Sequence, residues 1–403
     1  MLRILKILFS TILISALPIT PVKAEESPCD IAQSALMNAA KLRHLQTKQE
    51  VPCAVWSREK IREHLLQRIA EEMPGDQPKQ EGTIFRAIGM IPEDYNYERE
   101  IVELYTSQIS GFYNQKDKYF IMVDNGVQQM QVAIHEQTHA IQDQNFDLEK
   151  LLDHKKFSGD ELAARLALVE GDATAVMLDF AMLFSFTSLS KTPNVTGIIL
   201  QNIIGTYFIP ALQEVPQSII LTMLFPYTSG LRFVHHFLYN KDYSEIDKLY
   251  AAPPRSTEEI LHPEKYGTAA PDFKVFSDAD VLKAFKVSDQ KALYSDVMGE
   301  LGISALLQNL KAPNSAAAAA GWGGDKAVLL DSDNTKDTVL WLTAWDTERD
   351  AEEFLSAYLK GLAKTYPNTS PQLGKNKLSK LKTLELSKDG KNVLITVELE
   401  RSF

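Results

Sequence analysis

Two histidines that stand four residues apart, His135 and His139, lie in a stretch whose apolar pattern predicts a half-buried helix. Positions i and i+4 share one face of a helix, so the two imidazoles can bind one Zn²⁺ ion together. Glu136 follows the first histidine, and its carboxylate can accept a proton from a metal-bound water. The pattern HExxH therefore predicts a zinc site that activates water, whereas two unrelated histidines on a helix surface are the alternative.

A catalytic zinc ion usually has three protein ligands and keeps one position for water. The extended form of the motif has a glycine and a third histidine close behind, but these positions hold Gln142 and Asn145 here, so we expect a carboxylate from a later helix. Glu170 is the first candidate, because it stands among apolar residues of the next long helix, where a carboxylate needs a cationic partner. The other candidates, in order, are Asp172, His154 and Asp147.

Three residues near these ligands are expected to support them. Asp143 stands four residues after His139 and can accept the second N–H of that imidazole, unless it is an ordinary solvated acid at the helix end. Asp172, if it is not itself a ligand, is expected to support the ligand side chains as Asp143 does. Gly171 lowers helix stability but allows another backbone to come close to Glu170.

Residues 135–143, with the sequence His-Glu-Gln-Thr-His-Ala-Ile-Gln-Asp, resemble the active-site helix of thermolysin-like peptidases. Such a helix followed by a helical glutamate is typical of the gluzincin class of zinc metallopeptidases, and the resemblance covers roughly residues 118–174. It implies that the general base is Glu136 and that the zinc ligands are His135, His139 and Glu170.

The sequence departs from that class in two places, since the spacing from His139 to Glu170 is longer and Thr174 stands where the class has aspartate. Three further segments resemble poorly characterised exported bacterial proteins that carry HExxH. These are Glu-Gly-Asp-Ala at 170–173, Pro-Pro-Arg-Ser-Thr-Glu at 253–258 and Gly-Trp-Gly-Gly-Asp at 321–325. This second likeness implies export and a bound metal but names no substrate.

Gluzincins often stabilise the oxyanion with a histidine or tyrosine from a distant segment, so the resemblance implies such a residue here. His262 is the first choice and Tyr227 the second, while a cap at the helix C-terminus is the alternative role for His262. Residues 118–123 predict a strand that could be an exposed sheet edge, where an extended peptide or protein substrate adds through backbone hydrogen bonds. An ordinary core strand is the alternative.

The expected function is therefore that of an exported zinc-dependent metallopeptidase. Two other functions fit the same motif: a non-catalytic binding or envelope-assembly protein on a peptidase scaffold, and a zinc amidase that acts on cell-wall peptide. The intact Glu136 favours catalysis, because a degenerate site readily loses its base.

The first residues predict a signal peptide over residues 1–24. Arg3 and Lys6 give a basic start, an apolar run follows over 7–17, and Val-Lys-Ala at 22–24 is a small-residue cleavage pattern. The run is too short for a comfortable membrane span, so we expect a periplasmic or secreted protein without a stable span after cleavage. Removal of this segment takes away three cations and no acid, which moves the formal charge of −11 to −14 and argues against a nucleic-acid partner.

The two cysteines, Cys29 and Cys53, both follow the cleavage site, and in an oxidising compartment we expect them to form one disulfide. The 403 residues, of which 45% are hydrophobic, allow two or three domains. The sequence predicts an α+β protein with a mainly helical zincin-like domain over 25–268, which contains a short hairpin, and a small ββαββ domain within 269–403.

The predicted elements are read from periodicity and turn residues. The expected helices are 32–46, 57–73, 98–107, the HExxH helix, a long helix from the capping box at Ser158 to about Phe184, 280–285, 294–310 and 348–362. The expected strands are 111–113, 118–123, 327–330, 338–344, 381–386 and 392–399. Residues 74–82 are expected to form a polar loop, residues 312–321 an alanine-rich connector, and residues 321–325 a tight loop around a buried tryptophan.

Overall fold

The computed structural model describes residues 27–109, 111–124, 130–206, 209, 212–267, 273–331 and 335–401. The predicted signal peptide lies outside the described residues, as do residues 268 and 269 on the two sides of the predicted domain boundary. The fold is α+β, as predicted. The main hydrophobic cluster contains residues from both sides of that boundary, so helices of the first part and strands of the second part pack into one continuous core.

In chain order the helices are α1 (Pro28–Arg43), α2 (Arg58–Glu72), α3 (Gln77–Ile88), α4 (Tyr97–Gln108), α5 (Met130–Phe146), α6 (Leu148–Leu151), α7 (Gly159–Met182), α8 (Thr196–Thr206), α9 (Gln217–Leu238), α10 (Ser244–Ala251), α11 (Thr257–Leu261), α12 (Asp278–Ala284), α13 (Gly299–Asn309), α14 (Ser315–Ala319) and α15 (Glu348–Thr365). The strands are β1 (Cys53–Trp56), β2 (Gly111–Asn114), β3 (Tyr119–Val123), β4 (Ala292–Asp296), β5 (Trp322–Leu330), β6 (Lys336–Trp345), β7 (Gly374–Lys377), β8 (Lys382–Asp389) and β9 (Asn392–Glu400). Within the described residues, no helix is long and apolar enough to cross a membrane.

Helix α1 is fixed at its start by a capping box and by a disulfide. The Ser27 side chain accepts a hydrogen bond from the Asp30 amide, and the Asp30 side chain accepts one from the Ser27 amide. Cys29, in the first turn, forms a disulfide with Cys53 at the start of β1. The predicted disulfide is therefore confirmed, and it ties α1 to the small sheet that precedes the HExxH helix.

The small sheet has the strand order β1-β3-β2, with β1 parallel and β2 antiparallel to β3. Strand β3 is the middle strand, so the expectation that residues 118–123 form an exposed edge is wrong, and its core-strand alternative holds. The reason is β1, whose four residues are too few for a recognisable periodic pattern. The edge next to the HExxH helix belongs to β2, the other strand of the predicted hairpin.

Helices α7 and α9 cross with their backbones almost in contact. A Cβ atom placed on Gly171 would lie 2.3 Å from the Gly230 carbonyl oxygen, and one placed on Gly230 would lie 2.2 Å from the Ala167 oxygen. Only glycine fits at both positions, which confirms the expectation that Gly171 allows another backbone to approach. Because Gly171 directly follows Glu170 on α7, this crossing brings α9 next to Glu170.

The second sheet has six strands in the order β4-β5-β6-β9-β8-β7, and every described pair is antiparallel. It contains the predicted ββαββ unit but adds β4 and β7. Residues 294–296 are therefore a strand, not the start of a helix, and a helix begins only at Gly299. Helix α3 replaces much of the predicted loop 74–82, and α14 lies inside the predicted connector.

Trp322 is buried as predicted, at 1% exposed. The tight loop expected over residues 321–325 is wrong, because residues 322–325 form the start of β5, where Trp322 pairs with Trp345 of β6. The indole N–H of Trp322 donates to Asp325 at 3.0 Å, and the indole of Trp341 donates to the same carboxylate at 2.9 Å. The backbone amides of Met298 and Gly299 also donate to this carboxylate. Asp325 thus fastens α13 to the second sheet, because four N–H donors satisfy one buried carboxylate.

Candidate metal centre

Helix α5 holds the two motif histidines inside the protein. The apolar residues on both sides of them, Ala133, Ile134, Ala140 and Ile141, are fully buried. The helix packs against α1, α7 and β2, so its polar residues are enclosed as well. His135, Glu136 and His139 are each at most 1% exposed, which means that their polar atoms must find partners within the protein.

Glu170, on α7, meets both histidines. Its Oε2 lies 2.9 Å from His135 Nε2 and 3.5 Å from His139 Nε2, and the two Nε2 atoms are 3.1 Å apart. These three residues form a group in which one ligand atom from each lies within 4.8 Å of the others. In the part of the chain that the structure describes, this is the only such group of three or more His, Cys, Asp or Glu side chains.

The spacing of these three atoms suits a small metal ion. A tetrahedral ion with bonds of about 2.0–2.2 Å needs ligand atoms about 3.3–3.6 Å apart. The circle through the three observed atoms has a radius of about 1.8 Å, which is close to the length of a zinc–ligand bond of about 2.0–2.2 Å. The residues present therefore fit a metal ion with two nitrogen ligands and one oxygen ligand.

The electrostatics of the triad also favour a cation. Burial opposes ionisation of Glu170, but the positive charge and hydrogen bonds of the two histidines outweigh it and lower the pKa of Glu170 to about 2. Burial likewise opposes the charged form of His139, and Glu170 overcomes this, so the pKa of His139 is raised. A buried carboxylate between two imidazoles thus requires positive charge, which a bound metal ion would supply without protons.

His139 is oriented by Gln142 and not by Asp143. Its Nδ1 lies 2.8 Å from Gln142 Oε1, one residue before the predicted partner on the same helix. Asp143 instead accepts from the Tyr113 hydroxyl at 2.8 Å and from the Lys118 ammonium at 2.7 Å. The expectation for Asp143 is therefore wrong, because its carboxylate turns to the small sheet and the ring nitrogen faces the i+3 position.

Strand β2 also holds the predicted general base. The Tyr113 backbone N–H donates to Glu136 Oε2 at 3.0 Å, while the Tyr113 hydroxyl reaches Asp143 further along the same helix. One tyrosine therefore links β2 to α5 at two points. Glu136 is thus held beside the histidines by a backbone donor.

Asp172 lies behind the triad and is not a ligand. Its Oδ2 accepts from Gln142 Nε2 at 2.9 Å, and its Oδ1 lies 2.8 Å from Arg43 Nε. It supports the ligands as expected, but through a glutamine and not through an imidazole. The two remaining candidates for a third ligand are also elsewhere, since His154 lies near Glu72 and Asp147 caps α6.

Of the two expected oxyanion donors, only Tyr227 lies beside the triad. Its ring centre is 6.1 Å from that of His135, and α9 brings it there through the glycine crossing.

His262 lies elsewhere, with its Nε2 2.9 Å from Glu300 Oε1. The helix before it, α11, is joined to the start of α7, where Thr257 Oγ1 donates to Asp160 at 2.5 Å. Asp160 precedes Glu170 by about 15 Å along the helix axis. The expectation for His262 is therefore corrected, because its position in the sequence does not give its distance from the triad.

Sequence reasoning missed three residues of this centre: Gln142, Arg43 and Tyr113. In the sequence, Gln142 stands out only as the residue that replaces the glycine of the extended motif. Its position three residues after His139 is a usable signal, because i and i+3 are neighbours on a helix. Arg43 and Tyr113 come from other elements, and nothing in their local sequence indicates the contact.

Comparison with known proteins reaches only the C-terminal part of the chain. Residues 287–400 match the profile of a domain of unknown function, DUF8575, and this segment does not include the HExxH helix. No curated protein and no solved structure matches the chain. The geometry of the buried triad is therefore the main source of evidence about function.

Proposed function

We propose that this protein is a zinc-dependent metallopeptidase. The observation that carries the proposal is that Glu170 Oε2, on α7, meets the Nε2 atoms of His135 and His139, which share α5 with Glu136. Two imidazoles and one carboxylate, with a neighbouring acid that is not a ligand, are the set that a hydrolytic zinc site uses. The three ligands leave a fourth position for water.

Zn²⁺ bound there would lower the pKa of water to about 7 and polarise a substrate carbonyl. The role of Glu136 is to accept the water proton and then deliver it to the leaving amine, as a general base and acid. The Tyr113 N–H at 3.0 Å holds one oxygen of that carboxylate in place. Tyr227 is the residue proposed to donate a hydrogen bond to the oxyanion, because its ring lies beside His135.

A peptide substrate would lie along β2. This strand is an edge of the small sheet and contacts α5. Its four residues are buried and its Tyr113 N–H donates to Glu136, so a peptide could add beside the triad only after neighbouring segments move. Main-chain hydrogen bonds at an edge recognise any extended peptide, and side-chain preference would come from neighbouring pockets.

The burial of the site favours a second candidate function. His135, Glu136, His139 and Glu170 are each at most 1% exposed, so a substrate carbonyl reaches them only if neighbouring segments move. Complete burial favours, as the second candidate, a binding or envelope-assembly protein that keeps a peptidase scaffold. An amidase that acts on cell-wall peptide would use the same residues as a peptidase and differs from it only in substrate.

The proposed location is outside the cytoplasm, in the periplasm or secreted. Support comes from the basic and apolar pattern of residues 1–24 and from the Cys29–Cys53 disulfide.

The test is Glu136→Gln in the mature chain. We expect about one zinc per chain in both wild type and variant, with hydrolysis of a peptide library lowered by about 10²–10⁴-fold in the variant. Glu149→Gln, on the exposed side of α6, is the matched control and should keep full activity. A variant that cleaves as fast as wild type would remove Glu136 from the mechanism, and a zinc-loaded wild type that cleaves no peptide would favour the second candidate.

A further inference from the structure

Gln142 is a completely buried side chain whose amide has a partner at both ends. Its Oε1 lies 2.8 Å from His139 Nδ1, and its Nε2 lies 3.0 Å from the Val169 carbonyl oxygen and 2.9 Å from Asp172 Oδ2. The partners at the Nε2 end are both acceptors. The NH₂ group must therefore face them, and the amide oxygen must face the imidazole.

This orientation fixes the proton on His139. Because the amide oxygen can only accept, His139 Nδ1 must carry the hydrogen. The Nε2 atom then presents its lone pair on the side where Glu170 and His135 converge. A neutral imidazole with Nε2 unprotonated is the form that binds a metal ion.

Gln142 is held in turn by a buried ion pair. Asp172 accepts from Arg43 Nε at 2.8 Å and from the Tyr250 hydroxyl at 2.9 Å, and Arg43 and Asp172 are both 0% exposed. Arg43 also donates to Asp247 at 2.7 Å and lies over the Tyr243 ring. The arginine is the last residue of α1, whose first turn is tied to β1 by the disulfide.

We propose that Gln142 is a positioning residue for the metal centre, held by Asp172 and Arg43, and that it fixes the tautomer and the ring orientation of His139. The inference rests on the proposed metal site but not on peptidase activity. It assigns to an amide the task that a carboxylate or a backbone carbonyl usually performs behind a metal-bound histidine.

The chemistry explains why an amide stands here. A glutamate at this position would place a second anion about 3 Å from Asp172, in a buried region where like charges are costly. A leucine would leave the imidazole N–H without an acceptor. Glutamine alone, among side chains of this size, accepts from the ring and donates to Asp172 and Val169 at the same time.

The experiment compares the zinc affinity of Gln142→Leu with that of wild type by competition with a chromogenic chelator. We expect affinity to fall by about 10–100-fold, the usual effect of removing a partner of a metal-bound histidine. Gln137→Leu is the matched control, since Gln137 is also buried on α5 but donates to Ala32 of α1. The control should bind zinc within about twofold of wild type.

A pair of charge variants keeps the test valid if a single variant folds poorly. Gln142→Glu should weaken zinc binding, and adding Asp172→Asn should restore part of it, because the introduced side-chain amide can donate a hydrogen bond where the carboxylate of Asp172 could not. Recovery of this kind cannot come from a general loss of packing. The absorption spectrum of Co²⁺-loaded protein should change in Gln142→Leu and remain as in wild type in Gln137→Leu.

The outcomes separate this inference from the proposed function. Equal zinc affinity in wild type and folded Gln142→Leu would overturn the role of Gln142 while the metal centre stands. A wild type that binds no zinc would overturn both. Weaker binding in Gln142→Leu, together with an absence of peptide cleavage in zinc-loaded wild type, would support the role of Gln142 and refute the peptidase.

Discussion

The contact between α7 and α9 yields a quantitative prediction for Gly230→Ala. The new Cβ atom would lie 2.2 Å from the Ala167 carbonyl oxygen and 3.1 Å from Ala167 Cα. Comfortable contacts between carbon and carbonyl oxygen begin at about 3.3 Å, so the two helices must separate by about 1 Å. The atoms in the way belong to the backbone, which cannot rotate aside.

Two opposing terms set the size of the effect. Overpacking of a well-packed region costs about 1–3 kcal/mol or more, while alanine is favoured over glycine inside a helix by about 1 kcal/mol. Because the overlap is with backbone, the cost should lie at or above the upper end of that range, and we expect a net loss of about 2 kcal/mol in the free energy of unfolding. Gly171→Ala should behave alike, since its Cβ would lie 2.3 Å from the Gly230 oxygen.

The separation of α7 and α9 should also disturb the metal site. Glu170 stands next to Gly171 on α7, and metal–ligand distances tolerate displacements of only about 0.2 Å. We therefore expect both alanine variants to bind zinc at least about tenfold more weakly than wild type.

The assay is urea denaturation of the metal-free and zinc-loaded proteins, with zinc affinity measured on the same preparations. Gly197→Ala is the control, because a Cβ there meets nothing within 4 Å and should raise stability by about 0.4–1 kcal/mol. If Gly230→Ala were as stable as Gly197→Ala, the two backbones would not be in contact and the placement of α9 would be wrong.

Three further predictions concern the third ligand, the disulfide and a buried lysine. Glu170→Ala should lower zinc content well below one per chain by elemental analysis, whereas His154→Ala should leave it unchanged; the opposite pattern would reassign the third ligand. Replacing Cys29 and Cys53 with serine should lower the free energy of unfolding by about 3 kcal/mol in urea denaturation, because the bridge closes a separation of 24 residues; an unchanged midpoint would refute this. Burial lowers the pKa of Lys382 to about 8. The unfolded lysine titrates near pH 10.4, so the unfolded state binds more protons than the folded state between about pH 8 and that value. The free energy of unfolding of wild type should therefore rise by up to about 3 kcal/mol relative to Lys382→Met as the pH increases through this range. A difference that does not change with pH would contradict this.

The sequence indicated the parts of the centre that lie on regular helices. The apolar pattern around His135 and His139 predicted a buried helix, and the capping box at Ser158 predicted the start of the helix that carries Glu170. Both predictions depend on i, i+3 and i+4 periodicity, which a single segment displays on its own.

Contacts between distant segments were not predictable in this way. The sequence favoured His262 over Tyr227, and only the crossing at Gly171 and Gly230 shows that Tyr227 is the one beside the triad. The wrong prediction of Asp143, in place of Gln142, as the partner of His139 has a different origin. One residue on a helix is a rotation of about 100°, so a side chain that faces the imidazole and one that faces the small sheet are adjacent in sequence.

Anomalous diffraction at the zinc absorption edge, from crystals of the mature chain grown with zinc, would locate the metal ion directly. We expect one peak about 2.0–2.2 Å from His135 Nε2, His139 Nε2 and Glu170 Oε2. A map without a peak between these atoms, from crystals in which zinc is bound at another place, would contradict it.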